Sequence, residues 1–328
     1  MSPKKGELVV AELRRGSETG RALAKKILLA EKMEPKELHC ACEYYVEHWN
    51  DSTHPGLFFM ACEAVGGDPA ESALAQAAIT IMAAAFDLHD DVLDKDTLKN
   101  KTPTIYGKYG FEIALLLGDA FFVEGFKVLV DSLTKFPKEK ANKLIETTKN
   151  LLFEVGNAHS LEVCLKKSKR MTFDDYMAIT ERKGASIEAD MMFGALFGGG
   201  NETEVETLAK LGRIIGILVI LRDDLVDVFD IQELRQRMAV QDLPLPLLFA
   251  MQDSKINLRV TSILSRPKLT SKAIAELVDL TLSAEPVEKL KKKMQLLIEE
   301  GLTLLKKLKK RKLARSLKAI LTFMLEDL

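Results

Sequence analysis

The sequence predicts an all-α fold, a single large helical bundle, with residues 1–328 forming one domain. Three observations predict it. Long stretches carry apolar residues at helical spacing, and several are apolar nearly all round, as helices at the centre of a large bundle are. Hydrophobic residues make up 47% of the chain, ample for a core, whereas aromatics are only 6% and the two-residue alternation of strands is scarce. No stretch of linker composition divides the 328 residues.

Taken in order, Met1-Ser2-Pro3-Lys4-Lys5 leads into a charged segment, not an apolar leader. Pro35 marks a helix start. Asp68-Pro69 sets an N-cap before a proline at the first helical position, opening a helix from Glu71 to Asp94 that breaks at Asn100–Pro103. Gly110–Leu133 follows, ended before Pro137, and then Lys138–Lys166. Thr172-Phe173-Asp174-Asp175 caps one helix running to Phe197, which Gly198-Gly199-Gly200 stops. Asn201 and Glu204 cap the stretch through Ile214–Leu221. Leu243-Pro244-Leu245-Pro246 interrupts, and two or three helices from Ser271 and Pro286 complete the chain. Leu304–Met324 carries leucines at helical spacing and the run Lys306-Lys307-Leu308-Lys309-Lys310-Arg311-Lys312. A solvated outer face is the favoured reading of that run; contact with an anionic membrane surface is the alternative.

Bulk properties narrow the function classes. A net charge of −1 gives no argument for a nucleic-acid partner. The four cysteines have neither zinc spacing nor a disulfide framework, which suits a reducing cytosol. Apolar runs such as Ile214–Leu221 fall short of the ~20 residues of a spanning helix, so a soluble, cytoplasmic protein is expected, with peripheral membrane contact as its extension.

The chemistry concentrates in two copies of one pattern, Asp90-Asp91-Val92-Leu93-Asp94 and Asp223-Asp224-Leu225-Val226-Asp227, each ending a long apolar helical stretch. On a helix the first and last Asp of such a motif share a face one turn apart, with the middle Asp about 100° round. A single acidic motif is readily produced by a solvated helix end, but two matched ones on buried helices are not. Six carboxylates converging on one cavity would repel and take up protons. Mg²⁺ resolves this, since it prefers oxygen ligands and is often completed by substrate phosphates; Mn²⁺ is an oxygen-seeking substitute. Asp90, Asp91, Asp94, Asp223, Asp224 and Asp227 are therefore expected to clamp a phosphorylated substrate through metal ions.

With His89 ahead of the first motif, then Pro103-Thr104, Gly118-Asp119-Ala120, Lys183 and the second motif, in preserved order and spacing, the chain resembles the trans-isoprenyl diphosphate synthases from about Asp51 to about Met251. The resemblance implies an all-α fold round a deep cavity, usually a homodimer, and an allylic prenyl diphosphate bound through Mg²⁺. It implies that the cation left by ionisation is attacked by isopentenyl diphosphate. Lys99 stands where the family has the first of paired arginines, and Lys183 matches its lysine on the central helix. Asn100 stands for the second arginine, and Arg222 beside the second motif joins the expected substrate-binding residues. Phe86, four residues before the first motif, stands at the floor of the chain-length pocket. His89 is expected to support the metal-binding aspartates or to be an ordinary bundle histidine; His48, His54 and His159 are expected to be structural or exposed.

The departures matter as much. Asp51 and Ser52 replace the Lys and Arg of the family's isopentenyl diphosphate site, and Ala83 replaces its histidine. Val219-Ile220 replaces its Phe-Gln pair, and Phe229–Asp242 lacks its Gly-Lys segment. Charged hydrogen bonds contribute roughly 1.5–3 kcal/mol each, so losing three or four costs roughly 5–10 kcal/mol, several decades of affinity. Lys101, Arg182 and His54 are the nearby groups that would compensate. Three readings follow: a chain-elongating prenyltransferase with a rebuilt second site; an ionising enzyme of another outcome, a terpene synthase or a transferase to a different acceptor; and a non-catalytic subunit of a heteromeric synthase. The first leads on the resemblance.

Overall fold

The computed structural model describes residues 5–99, 101–168, 171–228, 234, 243–266, 269–308 and 311–326. The helices are α1 (Lys5–Ala30), α2 (Lys36–His48), α3 (Thr53–Val65), α4 (Ala73–Asp94), α5 (Ile105–Tyr109), α6 (Phe111–Ser132), α7 (Lys138–Ser168), α8 (Phe173–Lys183), α9 (Ala185–Phe197), α10 (Glu202–Asp227), α11 (Leu245–Ala250), α12 (Ser254–Leu264), α13 (Ser271–Leu282), α14 (Glu285–Leu305) and α15 (Arg311–Phe323). Among the described residues the only strands are β1 (Leu98–Lys99) and β2 (Thr102–Pro103), an antiparallel pair in register Leu98 to Pro103. The all-α expectation holds.

Helix α4 lies along α6, α10 along α9, and α9 against α3. One apolar cluster joins α3, α9 and α10 to α14 and α15 through Met60, Met191, Leu218, Met294 and Leu321. A second seats α4 on α1, α2 and α6 through Ile81, Leu88, Leu28, Tyr45 and Phe121. These clusters hold α4 and α10 firmly, and each helix turns a different stripe to the space between them. On α4 the stripe runs Ala83, Asp87, Asp90; on α10 it runs Gly216, Ile220, Asp223, Asp227. Both follow helical periodicity, so apolar and acidic positions fall on one face.

All three expected caps form: Asp68 accepts from the Ala70 amide, though it opens a short 3-10 helix, Pro69–Ser72, ahead of α4, while Thr172 with Asp175, and Asn201 with Glu204, make reciprocal capping boxes. The single helix expected from Thr172 to Phe197 is two, broken at Gly184. Arg213 of α10 explains the break. Its Nη1 donates to the carbonyl of Glu181 at 2.9 Å, satisfying a group that the broken ladder leaves open. Gly216 lets α10 approach here, since a Cβ on it would lie 2.9 Å from Gly184 Cα.

The charged N-terminal segment, given no element from sequence, forms the 26-residue α1, whose Ala24 and Leu28 are buried. By length and composition Pro69–Asp94 could cross a membrane, contrary to the expectation that no run is long enough, but 67% of its apolar window is buried within the protein. Among the described residues of the C-terminal stretch, Leu304, Leu305, Leu308, Leu317 and Leu321 face inward as core residues. Lys306 and Lys307 lie exposed, as the favoured solvated-face reading expects, while Lys309 and Lys310 lie outside the described residues.

Candidate active site

A cavity of about 810 Å³ lies between α4 and α10, closed by the start of α3, by α7 and by the α8–α9 junction. Five of the six motif carboxylates line it, Asp90, Asp91, Asp223, Asp224 and Asp227, together with Lys99, Lys183 and Phe86. Helix α4 stops directly after its motif because Lys95 turns left-handed, at φ 59°. The chain then returns through the β1–β2 pair, which brings Lys99 back over the helix end. Its Nζ lies 2.6 Å from both Asp87 Oδ1 and Asp91 Oδ1. Lys183, at the end of α8, contacts Glu162 of α7. Thr104, the residue after Pro103, caps α5 by accepting from the Gly107 amide.

Two expected site residues are placed differently, and a third is not among the described residues. Asp94 is not in the cavity wall; its Oδ1 lies 3.5 Å from Lys166, which also holds Glu162. Arg222 faces away altogether. Its guanidinium donates to the carbonyls of Phe323, Met324 and Glu326 and covers the Phe323 ring, so it anchors the C-terminal end of α15 instead of touching the cavity. Asn100 lies outside the described residues. Of the two readings of His89 the ordinary bundle histidine fits: it packs on Gly118, where a Cβ would sit 2.5 Å from Nε2, and its Nε2 lies 3.3 Å from Asp119, not on a motif aspartate. The Gly118-Asp119 pair is thus the seat of His89.

Sequence reasoning missed several groups. His159, expected to be structural or exposed, lines the cavity with Nδ1 2.9 Å from Asp90. A lone histidine on α7 carries no sequence signal. Asp87 did carry one, since it precedes Asp91 by four residues and shares its face. Tyr176 donates to Asp224 across the α8–α10 contact. His54 also lines the cavity, its Nδ1 2.7 Å from the buried Asp190. Asp51, Ser52 and Ala83, the departures noted above, all lie in the wall, and among the described residues no arginine does.

Electrostatics set the site's character. Among the described residues seven aspartates line the cavity against two lysines. Burial, only partly countered by Lys99, pushes Asp91 up to about 7. Burial and the neighbouring Asp224 push Asp223 up to about 6. Asp90 is the exception: His159, Lys183 and Lys99 outweigh its burial and hold it below the usual range. Oxygen donors in such excess, two of them drawn toward the neutral form, suit divalent cations of the Mg²⁺ type. Among the described residues no three acidic, histidine or cysteine side chains are already gathered round one point.

Residues 35–281 match the profile of the family described as Polyprenyl synthetase. The chain belongs to the polyprenyl synthetase family. It is similar to the short chain isoprenyl diphosphate synthase of Methanothermobacter thermautotrophicus, 28% identical over 200 residues that make up 61% of either chain. It is similar too to the geranylgeranyl diphosphate synthase of Methanosarcina mazei, 27% identical over 210 residues, 64% of either chain. The matches thus span just under two thirds of the length of these relatives. In fold it is similar to the geranylgeranyl pyrophosphate synthetase of Pyrococcus horikoshii, with a TM-score of 0.82, 23% identity and coverage of 98% and 99% of the two chains. Against this polyprenyl synthetase background, Asp51 and Ser52 stand out as acidic and neutral wall residues at positions where the resemblance leads one to expect bases.

Proposed function

We propose that the protein is a Mg²⁺-dependent prenyltransferase that ionises an allylic prenyl diphosphate and joins its prenyl group to isopentenyl diphosphate. The observation that carries this is the pairing of two acidic helix stripes across one cavity, each continuing inward as an apolar stripe. Such a surface holds a diphosphate at one end and a hydrocarbon chain at the other. Bound Mg²⁺ would be held by Asp90, Asp91, Asp223, Asp224 and Asp227, and would neutralise the leaving diphosphate as a Lewis acid. Lys183 adds a positive charge beside Asp90, its pKa raised because Glu162, Asp90 and Asp94 together outweigh the effect of burial. It steadies the departing phosphate oxygens. Phe86, Val155, Val219 and Ile220 exclude water from the allylic cation, which survives only in a dry wall. Behind Phe86 the wall continues into a narrow apolar pocket of about 40 Å³ between α4, α7 and α9, lined by Ile79, Met82, Leu151 and Leu152. This space suits the growing end of the chain. After the double bond of isopentenyl diphosphate attacks, the proton goes to the released diphosphate.

A second reading, transfer to another acceptor, is favoured by one observation: Asp51 stands in the cavity wall where a second diphosphate would need a base. Labelled geranyl, farnesyl and geranylgeranyl diphosphates, each with and without isopentenyl diphosphate, decide between the two. Lengthened products that appear only with isopentenyl diphosphate support the first; allylic turnover indifferent to it supports the second; no turnover sinks both.

The protein is further proposed to act as a homodimer in the cytoplasm. Leu116, Val123 and Val130 recur every seven residues on α6 and are all exposed, an apolar stripe suited to a second copy. The cysteines are free.

A further inference from the structure

We propose that His54, oriented by Asp190, is the specificity-determining cation of the acceptor half of the cavity and takes the diphosphate of isopentenyl diphosphate. This rests on the chain-elongating reading and names how its second site is rebuilt. His54 sits in the first turn of α3, in the same stretch of wall as Asp51 and Ser52, and shares the cavity with Ala83 of α4. It therefore occupies the region where the expected basic groups are missing.

The geometry of the pair is directional. Nδ1 is committed to Asp190 Oδ2 at 2.7 Å, and the Asp190 side chain is only 1% exposed. The ring itself is a quarter exposed, toward the cavity it lines, so Nε2–H is the donor left for a group inside. An imidazole held this way is a fixed one-donor cation, aimed by its buried partner as a carboxylate aims a metal-bound histidine. The charge is maintained by its surroundings. Burial alone would lower the histidine pKa, but Asp190 from α9, Asp51 from the α2–α3 connection and Asp87 from α4 outweigh it and push it up to about 9.

The position argues for use and not for stability alone. The pair borders the narrow apolar pocket of Ile79, Met82 and Val155. Replacing a buried ion pair by packed apolar residues is often neutral or stabilising, so packing gives no reason to keep one there. Among the described wall residues both lysines are already engaged: Lys99 is shared by Asp87 and Asp91, and Lys183 is held by Glu162 beside Asp90. A single imidazolium in place of several basic groups makes a functional but weak second site.

The test compares wild type with His54→Gln, His54→Arg and Asp190→Asn, measuring KM separately for isopentenyl diphosphate and for farnesyl diphosphate between pH 6 and 10. We expect His54→Gln to raise KM for isopentenyl diphosphate about ten- to a hundredfold, the effect of one charged hydrogen bond, with KM for farnesyl diphosphate unchanged. His54→Arg should restore it. In wild type that KM should climb above pH about 9, and in Asp190→Asn the climb should begin nearer the ordinary histidine value of about 6.5. An equal rise in both KM values, no rise, or a climb that stays in place in Asp190→Asn overturns the proposal. If the protein proves unable to condense the two substrates at all, calorimetry with isopentenyl diphosphate still reads the site. Binding lost in His54→Gln and kept in His54→Arg upholds it, whereas equal binding in wild type and His54→Gln, or none in either, overturns it. Circular dichroism on each variant separates a lost site from a lost fold.

Discussion

Asp91 and Asp223 are carboxylates buried to the point of favouring their neutral forms at about 7 and about 6, and they lie in the walls of one cavity. Divalent cations remove that cost, so substrate and metal should bind together. Asp90→Ala or Asp223→Ala is expected to abolish release of diphosphate from farnesyl diphosphate, and EDTA to abolish its binding in calorimetry; equally tight binding with EDTA would contradict the metal clamp. At the other end of the cavity, Asp51 opposes a second anion. Wild type should therefore show a KM for isopentenyl diphosphate well above the micromolar range, and Asp51→Lys, Ser52→Arg and Asn100→Arg together should lower it. Efficient elongation by wild type at low micromolar isopentenyl diphosphate would show that other residues already supply the missing bases. His54 also links stability to pH. Because its folded-state pKa is raised above the unfolded value of about 6.5, its stabilisation is complete below that pH and is lost as pH rises through about 9. Asp190, itself held above its usual range by burial, costs stability as it ionises in the acid range and leaves the alkaline window to His54. A net fall in unfolding free energy on the order of 1–2 kcal/mol between pH 7 and 10 is expected by urea titration, and absent in His54→Gln.

At the scale of elements, sequence reached what local chemistry dictates and missed what packing dictates. The capping boxes at Thr172 and Asn201 were legible because a cap is set by residues three apart. The break at Gly184 was not, because its cause lies on another helix: Arg213 supplies the donor and Gly216 the room. The same holds in the site. Both aspartate motifs could be read from helical spacing, as could Asp87. His159 and the Asp190 partner of His54 come from helices more than sixty residues away and leave no pattern. Arg222 misled for the complementary reason, since its place beside the motif puts it on the opposite face of α10, toward α15. The α9–α10 contact is testable in itself. A methyl group at Gly216 would meet Gly184 Cα at 2.9 Å, backbone that cannot swing aside. Gly216→Ala should cost about 1–3 kcal/mol through overpacking, seen as a lowered Tm, despite the better helix propensity of alanine. An unchanged or raised Tm would mean that the two helices separate freely.

For the whole molecule, the remaining question is what covers the outer face of α6. The inner face of that helix is used fully, with Leu117, Phe121 and Leu129 at or near zero exposure against α4 and its neighbours. Its outer face repeats Leu116, Val123 and Val130, and Val123 is 73% exposed. A surface helix normally shows polar residues there, and a seven-residue apolar repeat is the pattern by which helices pair. A second copy is the occupant that the family resemblance leads one to expect. Because α6 packs along α4, which carries Asp87, Asp90 and Asp91, such pairing would also brace the wall of the cavity. Leu116→Glu with Val123→Glu should then convert a dimer to monomers in light scattering at micromolar concentration. The same change should lower turnover, since α4 loses the support behind it, while leaving the helical circular dichroism intact. A wild-type protein that runs as a monomer, or a double variant that remains a dimer, would place the contact elsewhere or remove it.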